Sequence, residues 1–139
     1  DKILSIPGMA YPKTVKEQKR LNKQVFILRT IIKTDADFNQ RIEIPIKNGY
    51  SMTDNIVAVQ ITVKGNDCDL ETIIQQTIRL KPGAQTTIIK KLPKNNCESI
   101  YVTSAKCVME NGQIEWGEIT RWTGFDQAVY DSEHPEKSR

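Results

Sequence analysis

Apolar residues recur at every second position in a series of short runs along this chain, the period of strands that bury one face. The alternation is strict in Arg41–Lys47, where Ile42, Ile44 and Ile46 share one face and Arg41, Glu43 and Lys47 the other. Pro45 lies on the second face and has no N–H to give to a ladder, which predicts an edge or bulged strand. Upstream, Val25–Ile32 is dense in β-formers and predicts a strand from Gln24 to Lys33, behind a lead-in that is irregular or partly helical. Downstream, Ile56–Lys64 is the longest β-branched run, with Val57, Val59, Ile61 and Val63 on one face. Leu70–Leu80 follows with Ile74, Gln76 and Ile78 in alternation. Then come Thr86–Leu92, ended by Pro93, Ser99–Val108, and Gln113–Trp122 as its returning partner.

Turn chemistry separates these runs. Asn48-Gly49-Tyr50 and Gly65-Asn66-Asp67 reverse the chain, Lys81-Pro82-Gly83-Ala84 predicts a type I or type II turn, and Asn111-Gly112 is a hairpin signal. Seven β-segments with few helical stretches predict an all-β fold, a two-layer antiparallel immunoglobulin-like β-sandwich. The chain of 139 residues divides into a basic lead-in over 1–23, a sandwich over 24–125 and a polar tail over 126–139, expected to be flexible because Asp131–Arg139 has no apolar residue. No apolar run approaches the roughly 18 residues that cross a bilayer as a helix, so no transmembrane segment is expected. A chain that opens at Asp1 reads as a processed protein or an excised piece.

Charge adds surfaces to this picture. The net charge of +3 carries no specific nucleic-acid signal, but Arg79, Lys81, Lys90, Lys91 and Lys94 fall in a stretch without acids, and Lys13, Lys16, Lys19, Arg20 and Lys23 crowd the lead-in. Such cations fit a basic patch for an anionic partner, or the lysines that keep strand edges from pairing.

Candidate chemistry is thin. The one histidine, His134, lies in the tail, away from any nucleophile on the folded body, and the glycines are dispersed one per turn, with no phosphate-binding loop. The carboxylate pairs Asp35/Asp37, Asp67/Asp69 and Glu115/Glu118 are close enough in sequence for glycan hydrolysis, yet Asp35, Asp37, Asp67 and Asp69 sit where turns use aspartate for geometry. Three widely spaced cysteines and one histidine make no zinc set, and neither a metal nor another cofactor is expected. In an oxidising compartment Cys68 and Cys97, both in polar loop-like contexts, are the preferred disulfide, with Cys107 left over; in the cytosol all three stay reduced.

The aromatic residues gather late. Alternation over Ile114–Trp122 puts Ile114, Trp116, Glu118, Thr120 and Trp122 on one side, and Glu115, Gly117, Ile119 and Arg121 on the other. Tryptophan is heavily buried on average, so Trp116 is expected in the core and Trp122, beside Arg121, at the surface.

The order of features over Arg41–Lys106 resembles the bacterial FxLYD-type immunoglobulin-like accessory domains of envelope proteins. An alternating strand, an Asn48-Gly49 turn, a β-branched strand, the polar loop Gly65–Asp69 and the Leu80-Lys81-Pro82-Gly83 turn into Gln85–Leu92 carry the likeness. The aromatic-Leu-Tyr-Asp signature is missing from Val59–Lys64. The resemblance implies an adaptor or binding module without catalytic residues.

These readings converge on a non-enzymatic recognition or assembly module of an exported or cell-surface protein, binding a protein or glycan partner through a sheet face or edge. The expected binding residues are Trp122, Arg121, Trp116, Lys90 and Lys91. The alternatives are a structural subunit of a virion, tail or pilus-like assembly and a carboxylate-dependent glycan hydrolase; an oligomer is compatible with these readings, and the alternative locations are the cytoplasm or a virion.

Overall fold

The structure, a computed structural model, describes residues 19–120. It is an all-β sandwich of two sheets, with nine strands in chain order: β1 Val25–Ile27, β2 Ile31–Thr34, β3 Gln40–Asn48, β4 Ile56–Asn66, β5 Glu71–Leu80, β6 Gln85–Lys91, β7 Ser99–Met109, β8 Ile114–Trp116 and β9 Glu118–Ile119. In the first sheet β3 is central, with β6 along one side and β2 and β1 end to end along the other, and β9 pairs with β1 in parallel. The second sheet runs β5-β4-β7-β8, all antiparallel.

Nine strands replace the expected seven because two predicted strands are each divided. The segment 24–33 breaks after Ile27: Ile27 pairs with Ile46 and Ile31 with Glu43, so Leu28, Arg29 and Thr30 stand against only Ile44 and Pro45. This corrects the expectation for Pro45, which is not on an edge strand. It pairs with Thr87 on one side, and on the other its carbonyl accepts the Leu28 N–H at 2.9 Å. A residue's carbonyl and N–H point to the same side of an antiparallel strand, so the donor Pro45 lacks would have faced the break between β1 and β2, where regular pairing is already interrupted. The second division falls at Gly117. Its N–H donates to the Ala105 carbonyl at 2.7 Å, and there the chain leaves β8, paired with β7, and enters β9 on the other sheet. Thr120 closes the crossing, donating from both N–H and Oγ1 to the Ile27 carbonyl at 2.9 and 2.8 Å.

Alternation fills the core. Ile42, Ile44 and Ile46 from β3 and Ile88 from β6 meet Val59, Ile61 and Val63 from β4, with Ile74 and Leu80 from β5 and Val102, Ala105, Cys107 and Met109 from β7. One predicted orientation fails, and one outward-facing residue proves to be buried. A register shift between Ile56 and Ala58 turns Ile56 inward in place of Val57. Lys47 keeps its predicted face, opposite Ile42, Ile44 and Ile46, but is buried there, and its ammonium lies 4.0 Å from the centre of the Tyr50 ring. The reason is local: Lys47 pairs with Phe26, which with Leu21 and Leu28 forms a second apolar cluster apart from the main core. Val25 and Ile27 belong to the main core, so β1 is apolar on both faces.

The two ends of the sandwich are closed differently. At one end Asn48, fully buried, donates through Nδ2 to the carbonyls of Asp54 at 2.9 Å and Leu80 at 3.0 Å, and its own N–H and carbonyl bond to Ala84 and Gly83. Gly83, at φ +82°, with Pro82 before it and the Ala84 N–H donating to Lys81, makes the predicted reversal a type II turn. Gly49 packs directly on backbone: a Cβ there would collide with the carbonyl oxygens of Asn22 and Gln24. Those carbonyls accept the Ser51 N–H at 2.8 Å and the Gly49 N–H at 3.1 Å. Residues 19–23 are thereby joined to the sandwich, and Arg20 adds a two-pronged ion pair to Glu118, its Nη2 donating at 2.9 Å. At the other end Cys68 and Cys97 form a disulfide, S–S 2.05 Å, seated against Gly65, where a Cβ would meet both sulfurs. Cys107 is free and buried, and burial, with a smaller contribution from Glu115, pushes its thiol up to about 12.

Among the described residues no helix is long and apolar enough to cross a membrane.

Candidate binding face

Strand pairing aligns the side chains of β2, β3 and β6 into rows. Lys33 pairs with Arg41 and Arg41 with Lys91, so three cations lie side by side on the outer face of the first sheet, within about 10 Å at ordinary strand spacing. The next row on that face is Ile31, Glu43 and Ile89, with both isoleucines about half exposed. Glu43 serves two cations at once: Arg41 Nε donates to its Oε2 at 2.9 Å and Lys33 Nζ lies 3.6 Å from the same oxygen. The Arg41 hydrogen bond is the main reason the Glu43 carboxyl titrates below its ordinary range. Among the described residues Lys91 makes no ion pair. Like charges directly across a ladder are destabilising, so this row is held at a cost to the fold.

The hairpin between β2 and β3 frames the row. Asp35 closes it, Oδ1 accepting the N–H groups of Asp37 at 2.8 Å and Asn39 at 3.0 Å, and the Asn39 bond holds the carboxyl below the usual range. Phe38 stands at the tip with φ +62°, a left-handed conformation rare for a bulky residue, and its ring is 84% exposed. Beside the hairpin two hollows of about 560 and 430 Å³ share Thr34, Asn39, Gln40 and Lys91 as walls. Lys33 and Arg41 line the larger; Phe38, Lys94 and Asn95 line the smaller. Asn95 is fixed there by donating to the Gln40 Oε1 and the Pro93 carbonyl, both at 2.9 Å. Cations, amides, a hydroxyl and an exposed aromatic ring thus converge at the disulfide-linked end.

The residues expected to bind are distributed differently from the sequence reading. Lys91 lines both hollows, but Lys90 pairs with inward-facing Ile42 and falls on the opposite face of β6. Arg79 lies on the other sheet, bonded to Glu110 at 2.7 Å, so the stretch Arg79–Lys94 is not one surface. Trp116 is not in the core: it is 62% exposed, on β8 at the edge of the second sheet and paired with Lys106, away from the cationic row. Trp122, Arg121, His134 and the lysines at 13 and 16 lie outside the described residues. The carboxylate candidates separate as well. Asp35 is engaged by its turn, Asp67 takes φ +56° in its loop, and Glu115 and Glu118 belong to strands of different sheets.

The sequence reading missed Lys33, Arg41 and Phe38. An aromatic residue inside the Asp35–Asn39 turn was the available signal for Phe38, since turns seldom need a phenyl ring. The cationic row had none, because residues 33, 41 and 91 meet only once the register of three strands is known.

Among the described residues no three His, Cys, Asp or Glu side chains come together as a metal site. Comparison with protein-family models, curated proteins and solved structures found no match.

Proposed function

We propose that this chain is a non-enzymatic recognition module of an exported or cell-surface protein and that it binds an acidic glycan across the face of β2, β3 and β6. The observation that carries the reading is the row Lys33–Arg41–Lys91, a repulsive alignment in which Glu43 is ion-paired to Lys33 and Arg41 and Asp35 attracts Lys91 at longer range. An anionic ligand relieves that repulsion. Phe38 offers an apolar ring for the flat face of a sugar, the amides of Asn39 and Gln40 supply donors and acceptors for hydroxyls, and the hollow of about 560 Å³ has the size of a small-ligand site.

The Cys68–Cys97 disulfide supports an oxidising setting, as exported proteins have. The strand order supports an immunoglobulin-like sandwich: β3 pairs with β6 while β4, the next strand in the chain, pairs with β7 in the other sheet, and β7 continues to β8. These are the placements of strands B, E, C, F and G in that fold. The resemblance of Arg41–Lys106 to envelope accessory domains points the same way.

Titration with sulfated and uronate-containing oligosaccharides, followed calorimetrically at low and high salt, tests the reading. Binding should weaken with salt, fall at least tenfold in Lys91→Glu, and fall several-fold in Phe38→Ala, with unchanged circular dichroism in both. No binding to any acidic oligosaccharide, or binding indifferent to both substitutions, removes the proposal. Selective binding of an acidic peptide instead would make the partner a protein.

A further inference from the structure

The edges of the two sheets are protected unequally. An exposed strand edge is a template for pairing with another chain, and proteins blunt it with short strands, charges or proline. Strands β2, β8 and β9 are four, three and two residues long, and β6 carries Lys90 and Lys91. β5 has none of these devices along its middle and carries charges only near its ends, at Glu71 and Arg79. It is ten residues long, it forms the outer edge of the second sheet, and from Thr72 to Ile78 it contains no charge, no proline and no glycine. Its outward residues Ile73, Gln75 and Thr77 are exposed, Ile73 to 54%. A β-prone, uncharged seven-residue edge of this kind is an aggregation hazard unless something covers it.

We infer that β5 pairs with β5 of a second copy of this chain, antiparallel about a two-fold axis at Gln75, joining two four-stranded sheets into one of eight. The charges at the two ends of the strand select this occupant and this register. Side chains directly opposite one another in an antiparallel pair share a face, so outward residues must meet outward residues. Of the registers that satisfy this, only the one centred on Gln75 sets Glu71 of each copy opposite Arg79 of the other. It places Ile73 opposite Thr77 and Gln75 opposite itself, so two ion pairs bracket an uncharged ladder. Arg79 is held on this side by Glu110 through Nη1, which leaves Nε and Nη2 for a second carboxylate. The interface is isologous, each patch meeting its own copy, as closed two-fold dimers require. Main-chain hydrogen bonds between the two edges supply affinity.

Sedimentation equilibrium of the full chain over the micromolar range, with Gln75→Lys, Glu71→Arg and Gln75→Cys variants, tests the inference. The expected result is a dimer whose dissociation constant rises at least tenfold in Gln75→Lys, where two ammonium groups face each other across the axis, and several-fold in Glu71→Arg. Gln75→Cys should become a covalent dimer on mild oxidation. These positions are exposed, so circular dichroism should be unchanged. A chain that stays monomeric throughout that range overturns the inference, as does a dimer indifferent to Gln75→Lys that does not cross-link through position 75. Lys91→Glu should leave the dimer intact, so this outcome and the fate of the acidic-glycan reading are separate.

Discussion

The two ends of the sandwich do opposite things with their polar groups. At the Asn48 end most polar atoms are turned inward and bonded within the fold: Asn48 Nδ2 on two carbonyls, the Asn22 and Gln24 carbonyls on backbone donors, and Asp54 Oδ2 on the Asn111 N–H at 2.9 Å, with the buried Asn48 Oδ1 left without a partner. At the disulfide end the backbone is tied covalently, and the polar groups are turned outward. Lys33, Arg41 and Lys91 stand in a row and Phe38 is held in the open in a left-handed turn. A group whose bonding capacity is spent on the fold has little left for a partner. Surplus charge, offset only in part by the Glu43 ion pairs, and an exposed ring in a left-handed turn cost the fold stability, which is why the proposed binding face is placed here. The contrast yields a ranking of substitutions.

The largest effect is expected at the closed end. Gly49→Ala places a methyl group against two backbone carbonyls that accept hydrogen bonds, so the chain over Asn22–Gln24 must move and the Gly49 and Ser51 bonds are lost. Overpacking of up to about 3 kcal/mol and two backbone hydrogen bonds at about 1 kcal/mol each put the loss near 5 kcal/mol. That rivals the whole stability of a small domain, so urea titration should find the variant largely unfolded in buffer. A cooperative transition at the wild-type midpoint would mean that the lock is elsewhere.

At the disulfide end the tie is a single bond, and its loss is more gradual. The bridge spans a sequence separation of 29, for which loop-closure entropy gives about 3–4 kcal/mol, so a Cys68→Ala/Cys97→Ala double variant should melt markedly earlier. Gly65→Ala should be destabilising in the wild type, because both sulfurs occupy the space of its Cβ, and much less so once the sulfurs are gone and only the Cβ of residue 97, at 3.1 Å, remains close. Equal penalties in the two backgrounds would sink the steric account.

How far the sequence discloses this contrast depends on the range of the forces involved. The inward face of β3, the turn at Pro82-Gly83 and the hairpin at Asn111-Gly112 are local consequences of alternation and turn chemistry, and they stand in the structure as read. The breaks at Leu28–Thr30 and at Gly117 are not local. The first depends on what Pro45 withholds from a neighbour distant in sequence, the second on β9 finding β1 in the other sheet. Trp116 was misplaced for the same reason: it pairs with Lys106 on the outer face while Glu115 pairs with the buried Cys107, a facing set by β7 that no residue within Gln113–Trp122 announces. The Asn48 lock was legible only as a turn, since its hydrogen-bond partners are 6 and 32 residues away in sequence.

Phe38 gives the comparison a test of opposite sign. Left-handed backbone costs a bulky residue about 1–2 kcal/mol, and asparagine tolerates it, so Phe38→Asn should raise stability by roughly 0.5–1 kcal/mol while weakening binding of acidic oligosaccharides. A variant that is both less stable and unimpaired in binding would deny the turn a functional role.

The smallest effect separates the ends by pH. Glu118 belongs to the closed end, where Arg20 donates to both its oxygens and Gln24 Nε2 adds a bond at 3.1 Å. The Arg20 hydrogen bond is the main cause that holds its carboxyl below the ordinary value of 4.5, against an opposing push from burial. A carboxyl lowered on folding contributes stability that is fully present above its unfolded value and is lost as pH falls through the folded one. The pair is half open to solvent on the Arg20 side, so about 0.5–1 kcal/mol is the expected size. Arg20→Ala should therefore lower the melting temperature by a few degrees at pH 7, and the gap from wild type should narrow as pH falls below the carboxyl's ordinary value of 4.5. A gap that persists undiminished at pH 3 would assign the role of Arg20 to the packing of its stem and not to its charge.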